Sequence, residues 1–353
     1  LVDITERVAT AKPIKYPMAG MTSHIVTLKV YNTENAEETT IKTGEPADQY
    51  LTSITWNPDS ERVYIGILNR GQNHLQFNEY CTLSGDYIQT VFEDRDEQYV
   101  EPVGPAHFLP NNTKEFLWIA QRDGFYHVWK HNVETKEAKQ ITKGDFVITA
   151  FEGFDKKGDN IYYTSTEVSP LERHFYKHNL KSGKKVKISK EHGTHGVTPS
   201  ASGKYFIDSY SSTDVARNVD VMDANGKFVK RLHEADDPLK EYNIGTIELG
   251  TLKAEDGQTL YTRMIKPYNF DPNKKYPVII YVYGGPHAQM ITDAHSVPGN
   301  IESYSRKFGK PYIIGEVGYE WDWSKNFDDF ADGMKMDFRR GLWYGLFCPT
   351  PVT

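Results

Sequence analysis

The sequence predicts a mainly β protein: a partial β-propeller of about four blades, then the start of an α/β domain, then an unrelated α/β tail. Three observations lead to this prediction. Aromatic residues make up 13% of the 353 residues and Gly occurs 27 times, a composition typical of β proteins. Between residues 45 and 235 a strand-rich pattern recurs at about blade length. After residue 241 a hairpin pattern gives way to one continuous apolar run.

The first 45 residues show an irregular, strand-rich lead-in without a full repeat. The chain begins at Leu1 rather than at a methionine, so we expect the true N-terminus and any targeting signal to be missing. Four blades are few for a closed propeller, and an open row of blades leaves apolar flanks and sheet edges exposed. We therefore expect further blades upstream of Leu1, and an aggregation-prone protein when this chain is expressed alone.

Each repeat begins with an aromatic-containing strand and ends in a hairpin with a polar turn. Trp56, Phe108 and Phe154 mark three successive first strands, spaced by about 50 residues as in propeller blades. Gly and Asn in the turns 84–86, 182–184 and 225–227 supply the positive φ of tight hairpins. A β-sandwich is the alternative, but its strands need not recur at blade length.

Charge and cysteine content restrict the possible partners. A net charge of -7 gives no reason to expect nucleic acid or an anionic membrane. The basic stretch Leu180–Lys190 fits a solvated hairpin better than a binding patch. No apolar run is long enough to span a membrane. Cys81 and Cys348 cannot build a disulfide framework or a zinc site, and we predict neither a metal nor a cofactor.

The region after Glu241 starts with a hairpin in "GTIELGTLKAEDGQTLYTRMIKP", where Asp256-Gly257 is a strong turn signal. The run "VIIYVYGGP" then predicts a strand with both faces covered, as in the middle of an α/β sheet. Gly284, Gly285 and Pro286 end this strand and let the backbone approach a ligand closely.

The segment "MIKPYNFDPNKKYPVIIYVYGGPHAQ" resembles the prolyl oligopeptidase superfamily of serine peptidases, most closely its dipeptidyl-peptidase IV branch. "YPMAGMTSHIVTLKV", "WNPDSERVYIGILNRGQNH" and "AQRDGFYHVWKHNVETKEAKQITKGDFVI" support a resemblance over residues 16–292. It implies a propeller of the dipeptidyl-peptidase IV type over 1–240, the start of an α/β-hydrolase domain over 241–292, and a foreign tail over 293–353. It also implies removal of X-Pro or X-Ala dipeptides from peptide N-termini, a homodimer, and a periplasmic or extracellular location.

By this resemblance, Tyr283 matches the tyrosine whose hydroxyl helps to form the oxyanion hole. A phenol at a strand tip can stabilise the negative oxygen of a tetrahedral intermediate. The alternative is an ordinary core tyrosine, because Tyr281 and Tyr283 point to the same face of a strand.

The rest of the catalytic machinery is not found in the sequence. No G-x-S-x-G motif occurs, and Ser200 and Ser202 fall in a predicted blade turn. His287 precedes the expected serine, whereas the triad of α/β hydrolases runs Ser, Asp, His along the chain. The paired glutamates that grip the substrate's amino terminus in this family would lie upstream of Leu1. We expect no peptide hydrolysis by this chain.

The tail departs from the family pattern after "MITD". Its segment "KFGKPYIIGEVGYE" resembles the seventh strand of TIM-barrel, cellulase-like glycoside hydrolases, which implies that Glu316 is a nucleophile. A retaining glycosidase needs a second carboxylate about 5 Å away, and no barrel precedes this segment. We expect two unrelated genes to be joined near residues 291–295, as an artefact or truncation rather than a genuine fusion.

Three functions therefore remain open: a serine peptidase, a non-catalytic propeller that binds a partner, and a glycoside hydrolase. The resemblance to the peptidase covers much more of the chain than the resemblance to the glycosidase, and it favours the first.

Overall fold

The computed structural model describes residues 2–3, 5, 7–11, 20–200, 202–237, 240–243, 245–278, 280 and 291–295. Within these ranges the protein has 22 strands and no helix. Accordingly, this part of the chain contains no helix long and apolar enough to cross a membrane. The chain divides into two compact units, Leu1–Ile161 with Asn179–Gly183, and Tyr162–His178 with Lys184–Thr353.

The lead-in forms two small antiparallel sheets of two strands each. Their strands are β1 (Val2–Asp3), β2 (Thr10–Ala11), β3 (Lys29–Tyr31) and β4 (Glu38–Thr40).

Four sheets of four strands follow, and in each the strands are neighbours in chain order, as in a propeller blade. The first contains β5 (Tyr50–Trp56), β6 (Arg62–Leu68), β7 (His74–Cys81) and β8 (Tyr87–Arg95). The second contains β9 (His107–Phe108), β10 (Glu115–Ala120), β11 (His127–Asn132) and β12 (Ala138–Gln140). The third contains β13 (Ile148–Phe154), β14 (Asn160–Ser165), β15 (His174–Asn179) and β16 (Lys185–Lys187). The fourth contains β17 (Thr194–Pro199), β18 (Tyr205–Ser211), β19 (Asn218–Asp223) and β20 (Phe228–Glu234). The predicted partial propeller of about four blades is confirmed.

The inner strand β6 of the first sheet is buried on both faces, which explains why its sequence is almost continuously apolar. One face of β6 carries Tyr64, which joins an aromatic core with Phe77, Phe116 and Trp118. The opposite face carries Val63, Ile65 and Ile67, which pack with Ile41. Successive side chains of a strand point to opposite faces, so alternate residues of β6 serve two different cores.

The lead-in is more regular than its sequence predicts. Its strands β3 and β4 form the same hairpin as the third and fourth strands of a blade. In three hairpins the backbone N–H of an isoleucine just after the last strand donates to the carbonyl oxygen of the residue 13 positions earlier, at the start of the hairpin. The N–O pairs are Ile41 to Leu28 at 2.9 Å, Ile141 to Val128 at 2.8 Å and Ile188 to Phe175 at 2.9 Å. The turns agree as well, since the Oδ1 atoms of Asn32, Asn132 and Asn179 each accept a backbone N–H two residues on. The sequence does not predict this hairpin because its strands are short and its apolar pattern is weak.

Two glycines lie in the turns of the β7–β8 and β19–β20 hairpins and allow each hairpin to lie directly against a neighbouring one. Gly85 has φ 72°, and a Cβ there would lie 2.1 Å from the carbonyl oxygen of Thr40. Gly226 has φ 75°, and a Cβ there would lie 2.7 Å from the carbonyl oxygen of Ile188. Both positions thus require glycine for the left-handed backbone and for the close approach.

The second unit has its own core, in which Tyr162, Phe175, Ile188, Phe206 and Met222 pack together. It also contains the antiparallel hairpin of β21 (Ile247–Lys253) and β22 (Thr259–Ile265), whose turn includes Gly257 at φ 84°. This confirms the hairpin predicted around residues 255–257. Most of the predicted strand "VIIYVYGGP" and the tail 296–353 lie outside the described residues.

Candidate functional site

A cavity of about 300 Å³ lies at the ends of the first and second sheets, wholly within the first unit. Its walls come from the segment after β8 and from the end of β10 with the loop that follows. The lining residues are Leu75, Asp94, Arg95, Asp96, Gln98, Tyr99, Val100, Glu101, Pro102, Trp118, Ile119, Ala120, Gln121, Arg122 and Gly124. The volume is at the lower limit of small-ligand pockets, which suits one or two amino-acid residues.

Arg122 is the most firmly held polar residue of this cavity. Its Nε and Nη2 atoms donate to the two carboxylate oxygens of Asp94, at 2.7 and 3.2 Å. Its guanidinium group lies between the rings of Phe92 and Trp129, 5.2 and 4.9 Å from their centroids. A planar guanidinium suits both the bidentate pairing and the stacking, so this side chain is fixed before any ligand arrives.

His131 contacts the guanidinium group of Arg122. The Nη1 atom of Arg122 lies 3.0 Å from the Nε2 atom of His131 and can only donate, so Nε2 must carry the lone pair. Burial, and then the positive charge of Arg122, lower the pKa of His131 to about 3. The imidazole also stacks on Phe116 with centroids 5.3 Å apart. His131 is therefore neutral and orients the guanidinium.

The cavity lining carries a net negative formal charge, since it contains three carboxylates, of Asp94, Asp96 and Glu101, and two guanidinium groups, of Arg95 and Arg122. The Oε2 atom of Glu101 accepts a hydrogen bond from the hydroxyl of Tyr126 at 3.0 Å. Burial and this carboxylate raise the pKa of the Tyr126 hydroxyl. Apolar walls from Val100, Pro102 and Trp118 complete a pocket that combines hydrogen-bonding groups with apolar surface.

A second cluster has the connectivity of a catalytic triad, but its surroundings identify it as structural. The Oγ atom of Ser189 lies 3.0 Å from Nδ1 of His174, whose Nε2 lies 2.8 Å from Oε2 of Glu172. Ser189 and His174 are both fully buried, and Ser189 Oγ accepts the backbone N–H of Phe175. Burial lowers the pKa of His174. No substrate could reach this serine.

The second sheet repeats the same arrangement without an acid, which supports the structural interpretation. There Nδ1 of His127 lies 3.1 Å from Oγ1 of Thr142, and Nε2 lies 2.9 Å from the carbonyl oxygen of Gly144. The Thr142 hydroxyl accepts the backbone N–H of Val128 at 2.9 Å. In both blades the third strand begins with a histidine, and a hydroxyl follows the fourth strand. The contact between these two groups connects the two strands.

The site residues predicted from the sequence are not brought together in the described structure. Tyr281, Tyr283, His287 and Glu316 all lie outside the described residues, so their roles remain predictions. Ser200 and Ser202 lie in the turn between β17 and β18, where they were expected; their hydroxyl oxygens are 3.3 Å apart.

The sequence does not predict the cavity around Arg122. The segment "AQRDGFYHVW" supports the family resemblance, but its pattern indicates no role for any single residue. The ion pair to Asp94 spans 28 residues, a distance over which no local pattern can predict contact. Among the residues that the structure describes, no group of three or more His, Cys, Asp or Glu side chains is arranged to hold a metal ion.

Comparison with known proteins identifies the class of this fold. Residues 1–217 match the family described as the dipeptidyl peptidase IV (DPP IV) N-terminal region, so the chain belongs to that family. It is similar to a candidate dipeptidyl aminopeptidase IV from Bacteroides ovatus, with 37% identity and a TM-score of 0.77 over 83% of this chain. It is also similar to the Porphyromonas gingivalis dipeptidyl peptidase 4, with 26% identity and a TM-score of 0.73 over 83% of this chain.

Among curated sequences, the chain is 28% identical over 306 residues to dipeptidyl peptidase 4 of Trichophyton rubrum. That match covers 82% of this chain but only 39% of the relative. The two solved structures are likewise covered to 45% and 42% of their lengths. The chain thus spans less than half the length of the relatives that it matches.

Proposed function

We propose that this chain supplies part of a serine peptidase of dipeptidyl peptidase IV type, which removes X-Pro or X-Ala dipeptides from the amino termini of peptides. The observation that supports this proposal is the family match over residues 1–217, together with four consecutive four-stranded sheets. Relatives of this chain are named dipeptidyl peptidases, which favours peptides as the ligands. By the same resemblance we propose a homodimer for the complete protein.

These 353 residues alone are not expected to hydrolyse peptides, because they contain no G-x-S-x-G motif to present a nucleophile. The test uses Gly-Pro and Ala-Pro chromogenic substrates at high protein concentration. We expect no release of the chromophore. Turnover that a serine-reactive phosphonate abolishes would contradict this part of the proposal.

Tyr283 is proposed as an oxyanion-hole donor, on the family resemblance of "VYGGP". A form of the protein that also contains a G-x-S-x-G segment would test this role. There Tyr283→Phe is expected to lower kcat about 10²- to 10³-fold with little change in KM, because the donor acts only on the developing negative charge. An unchanged kcat would make Tyr283 a core residue.

The cavity around Arg122 is proposed to hold the amino-terminal part of a peptide, in addition to the paired glutamates that the family resemblance implies upstream of Leu1. Its net negative lining attracts an ammonium group, and its apolar walls can take a small side chain. The fixed guanidinium of Arg122 and the hydroxyl of Tyr99 can bind the peptide backbone. Because Arg122 is held by Asp94 and His131, little conformational entropy is lost on binding.

Calorimetric titration with a Gly-Pro-containing tripeptide tests this pocket. Tyr99 lines the cavity and is 54% exposed, so Tyr99→Ala is expected to weaken binding about tenfold without loss of stability. Tyr205, 51% exposed on the fourth sheet, is a matched control for a lost surface aromatic. Equal effects of the two substitutions would show that the peptide binds elsewhere.

The second candidate function is a non-catalytic binding module. It is favoured because the cavity around Arg122 can bind a peptide without a nucleophile. The two candidates differ in what they require of the ligand. A dipeptidyl peptidase requires a free amino terminus, so N-acetylation of the tripeptide should abolish binding. Equal binding of the acetylated peptide would favour a module that recognises internal peptide segments.

Glu316 remains a proposed glycosidase nucleophile on the resemblance of the tail alone. A β-glucan assay is expected to show no activity, because a retaining glycosidase needs a second carboxylate in a complete barrel. Activity that Glu316→Gln abolishes would favour the glycoside hydrolase instead.

A further inference from the structure

Residues 291–295 lie against loops of the third and fourth sheets, within the second unit. The backbone N–H of Asp293 donates to the carbonyl oxygen of Leu171 at 2.8 Å. Its Oδ1 accepts the backbone N–H of Thr213 at 2.8 Å, and its carbonyl oxygen accepts the hydroxyl of Thr194 at 3.1 Å. Asp293 is only 7% exposed, so its carboxylate is held in a buried position.

His192 lies between two carboxylates at this contact. Its Nδ1 is 2.8 Å from Oδ2 of Asp293, and its Nε2 is 3.1 Å from Oδ1 of Asp214. A neutral imidazole has one N–H, so it can donate to only one of these carboxylates. Both contacts are satisfied only when His192 is protonated. The hydrogen bond to Asp293 is the main cause that raises the pKa of His192.

Other charged groups lie near this contact. Glu172 accepts the backbone N–H of Gly193 and also adds negative charge near His192. Arg173 donates to the carbonyl oxygens of Pro170 and Glu172. On the other side of the segment, Arg263 of β22 donates to the carbonyl oxygens of Ala294 and His295, and His295 lies 3.1 Å from Asp237.

Asp214 also contributes to the environment of His192. A hydrogen bond from Ser212 is the main cause that lowers the pKa of Asp214, so this carboxylate stays ionised beside the imidazole. Its side chain is 71% exposed, whereas that of Asp293 is 10% exposed. Solvent screens the exposed pair more strongly, so Asp293 dominates the stabilisation of the protonated imidazole.

We propose that protonated His192 is a positioning residue that fastens residues 291–295 to the loops of the third and fourth sheets. Asp293 follows Tyr283 by ten residues in the sequence, and this short separation is the link between the attachment and the predicted oxyanion donor. The link to catalysis rests on the proposed peptidase function. The attachment itself does not, because it is formed by residues that the structure describes.

The attachment depends on pH in one direction. Because the pKa of His192 is raised in the folded state, its contribution is complete below the ordinary histidine pKa of about 6.5. The contribution is lost as the pH rises through the raised value, when the imidazole becomes neutral and one carboxylate loses its donor. Residues 291–295 are thus held more tightly in mildly acidic than in mildly alkaline solution.

Amide hydrogen exchange of the whole chain, read by mass spectrometry at about pH 6 and pH 8.5 and corrected for intrinsic rates, tests this proposal. Protection at residues 293–295 is expected to be several-fold higher at the lower pH. Asp293→Asn should lower protection at pH 6 about tenfold and remove the pH dependence. Asp214→Asn, at the exposed carboxylate, should have a smaller effect.

Two variants at His192 separate charge from packing. His192→Gln has no charge to lose, so protection at residues 293–295 is expected to be weak at both pH values. His192→Lys keeps a cation and should retain strong protection at both pH values. A histidine NMR titration adds a check on the folded chain, with the exposed His24 as a reference resonance; the His192 pKa should fall towards its ordinary value in Asp293→Asn. Equal protection of the wild-type chain at both pH values, or wild-type protection in His192→Gln, would overturn the proposal. Neither readout requires turnover, so failure here is distinct from failure of the peptidase proposal.

Discussion

Arg122 and Asp94 form a bidentate ion pair that joins the loop after β10 to the end of β8, with N–O distances of 2.7 and 3.2 Å. Both side chains are mostly shielded from solvent, with 19% and 14% exposure. Two aromatic rings enclose the guanidinium group, so this pair both connects neighbouring sheets and shapes the cavity between them.

Loss of this pair should destabilise the protein. Arg122→Met leaves a mostly buried carboxylate without its donors, and we expect the free energy of unfolding to fall by about 2–3 kcal/mol. Arg122→Lys should recover less than half of that, because an ammonium group cannot pair at two points or stack in the same way. Urea denaturation measures both.

The matched control is Arg95→Met. Arg95 pairs with Glu93 on the surface, where its side chain is 67% exposed. Solvent screening leaves such a pair worth little, so the expected loss is less than about 1 kcal/mol. Equal losses for the two arginines would show that the enclosed geometry of Arg122 has no energetic consequence.

His131 should make stability depend on pH between about 3 and 6.5. Its pKa is lowered to about 3 in the folded state, so in this range the unfolded chain binds a proton that the folded chain does not. Stability therefore falls as the pH decreases through this window, by at most about 1.4 kcal/mol per pH unit from this residue. Burial lowers the pKa values of His107, His174 and His178 in the same direction.

Replacing His131 isolates the contribution of its imidazole to the pH dependence of stability. His131→Gln cannot titrate and should give a shallower slope of unfolding free energy against pH than the wild-type chain in this window. Chemical denaturation at several pH values measures the slope. An identical slope in the variant would mean that other groups account for the pH dependence.

Gly85→Ala should be markedly more costly than Gly183→Ala. Both glycines have positive φ, 72° and 70°, so each substitution incurs a backbone cost of about 1–2 kcal/mol. At Gly85 the new Cβ would also meet the carbonyl oxygen of Thr40 at 2.1 Å, whereas nothing lies within 4 Å at Gly183. The melting temperatures of the two variants measure this difference. A Gly85→Ala variant as stable as Gly183→Ala would contradict the close approach of the hairpins.

Ser189→Ala and Thr142→Ser separate a structural hydroxyl from a nucleophile. Ser189→Ala removes the acceptor for the Phe175 amide and is expected to cost about 1–3 kcal/mol. Thr142→Ser keeps the equivalent hydroxyl and should cost less. A fluorophosphonate probe should label neither serine nor threonine at these positions in the folded protein; labelling of Ser189 would contradict its structural role.

The repeat predicted the four blades well because alternating apolar residues and glycine turns are local signals. "RVYIGIL" became β6, and Gly85, Gly183 and Gly226 all adopt the positive φ expected of the turns. The family resemblance then gave the class of protein correctly. Both depend on residues that lie close together in the sequence.

The candidate site was not predictable in the same way. The contact between Arg122 and Asp94 depends on how two sheets pack, and the contact between His192 and Asp293 joins residues 101 positions apart. Likewise, β3 and β4 were not recognised as a blade hairpin, since each has only three residues. The triad-like contact of Ser189 with His174 was also invisible in the sequence, and only its burial shows that it is structural.

Saturation-transfer NMR of an unlabelled Gly-Pro tripeptide with the 353-residue chain tests the central claim most directly, because the same spectra report binding and cleavage. We expect transfer to the tripeptide, much weaker transfer to its N-acetylated form, and no free dipeptide over the course of the experiment. Release of the dipeptide by the chain, or the absence of transfer to the free tripeptide, would contradict a peptide-binding part of a dipeptidyl peptidase IV-type enzyme that lacks its own nucleophile.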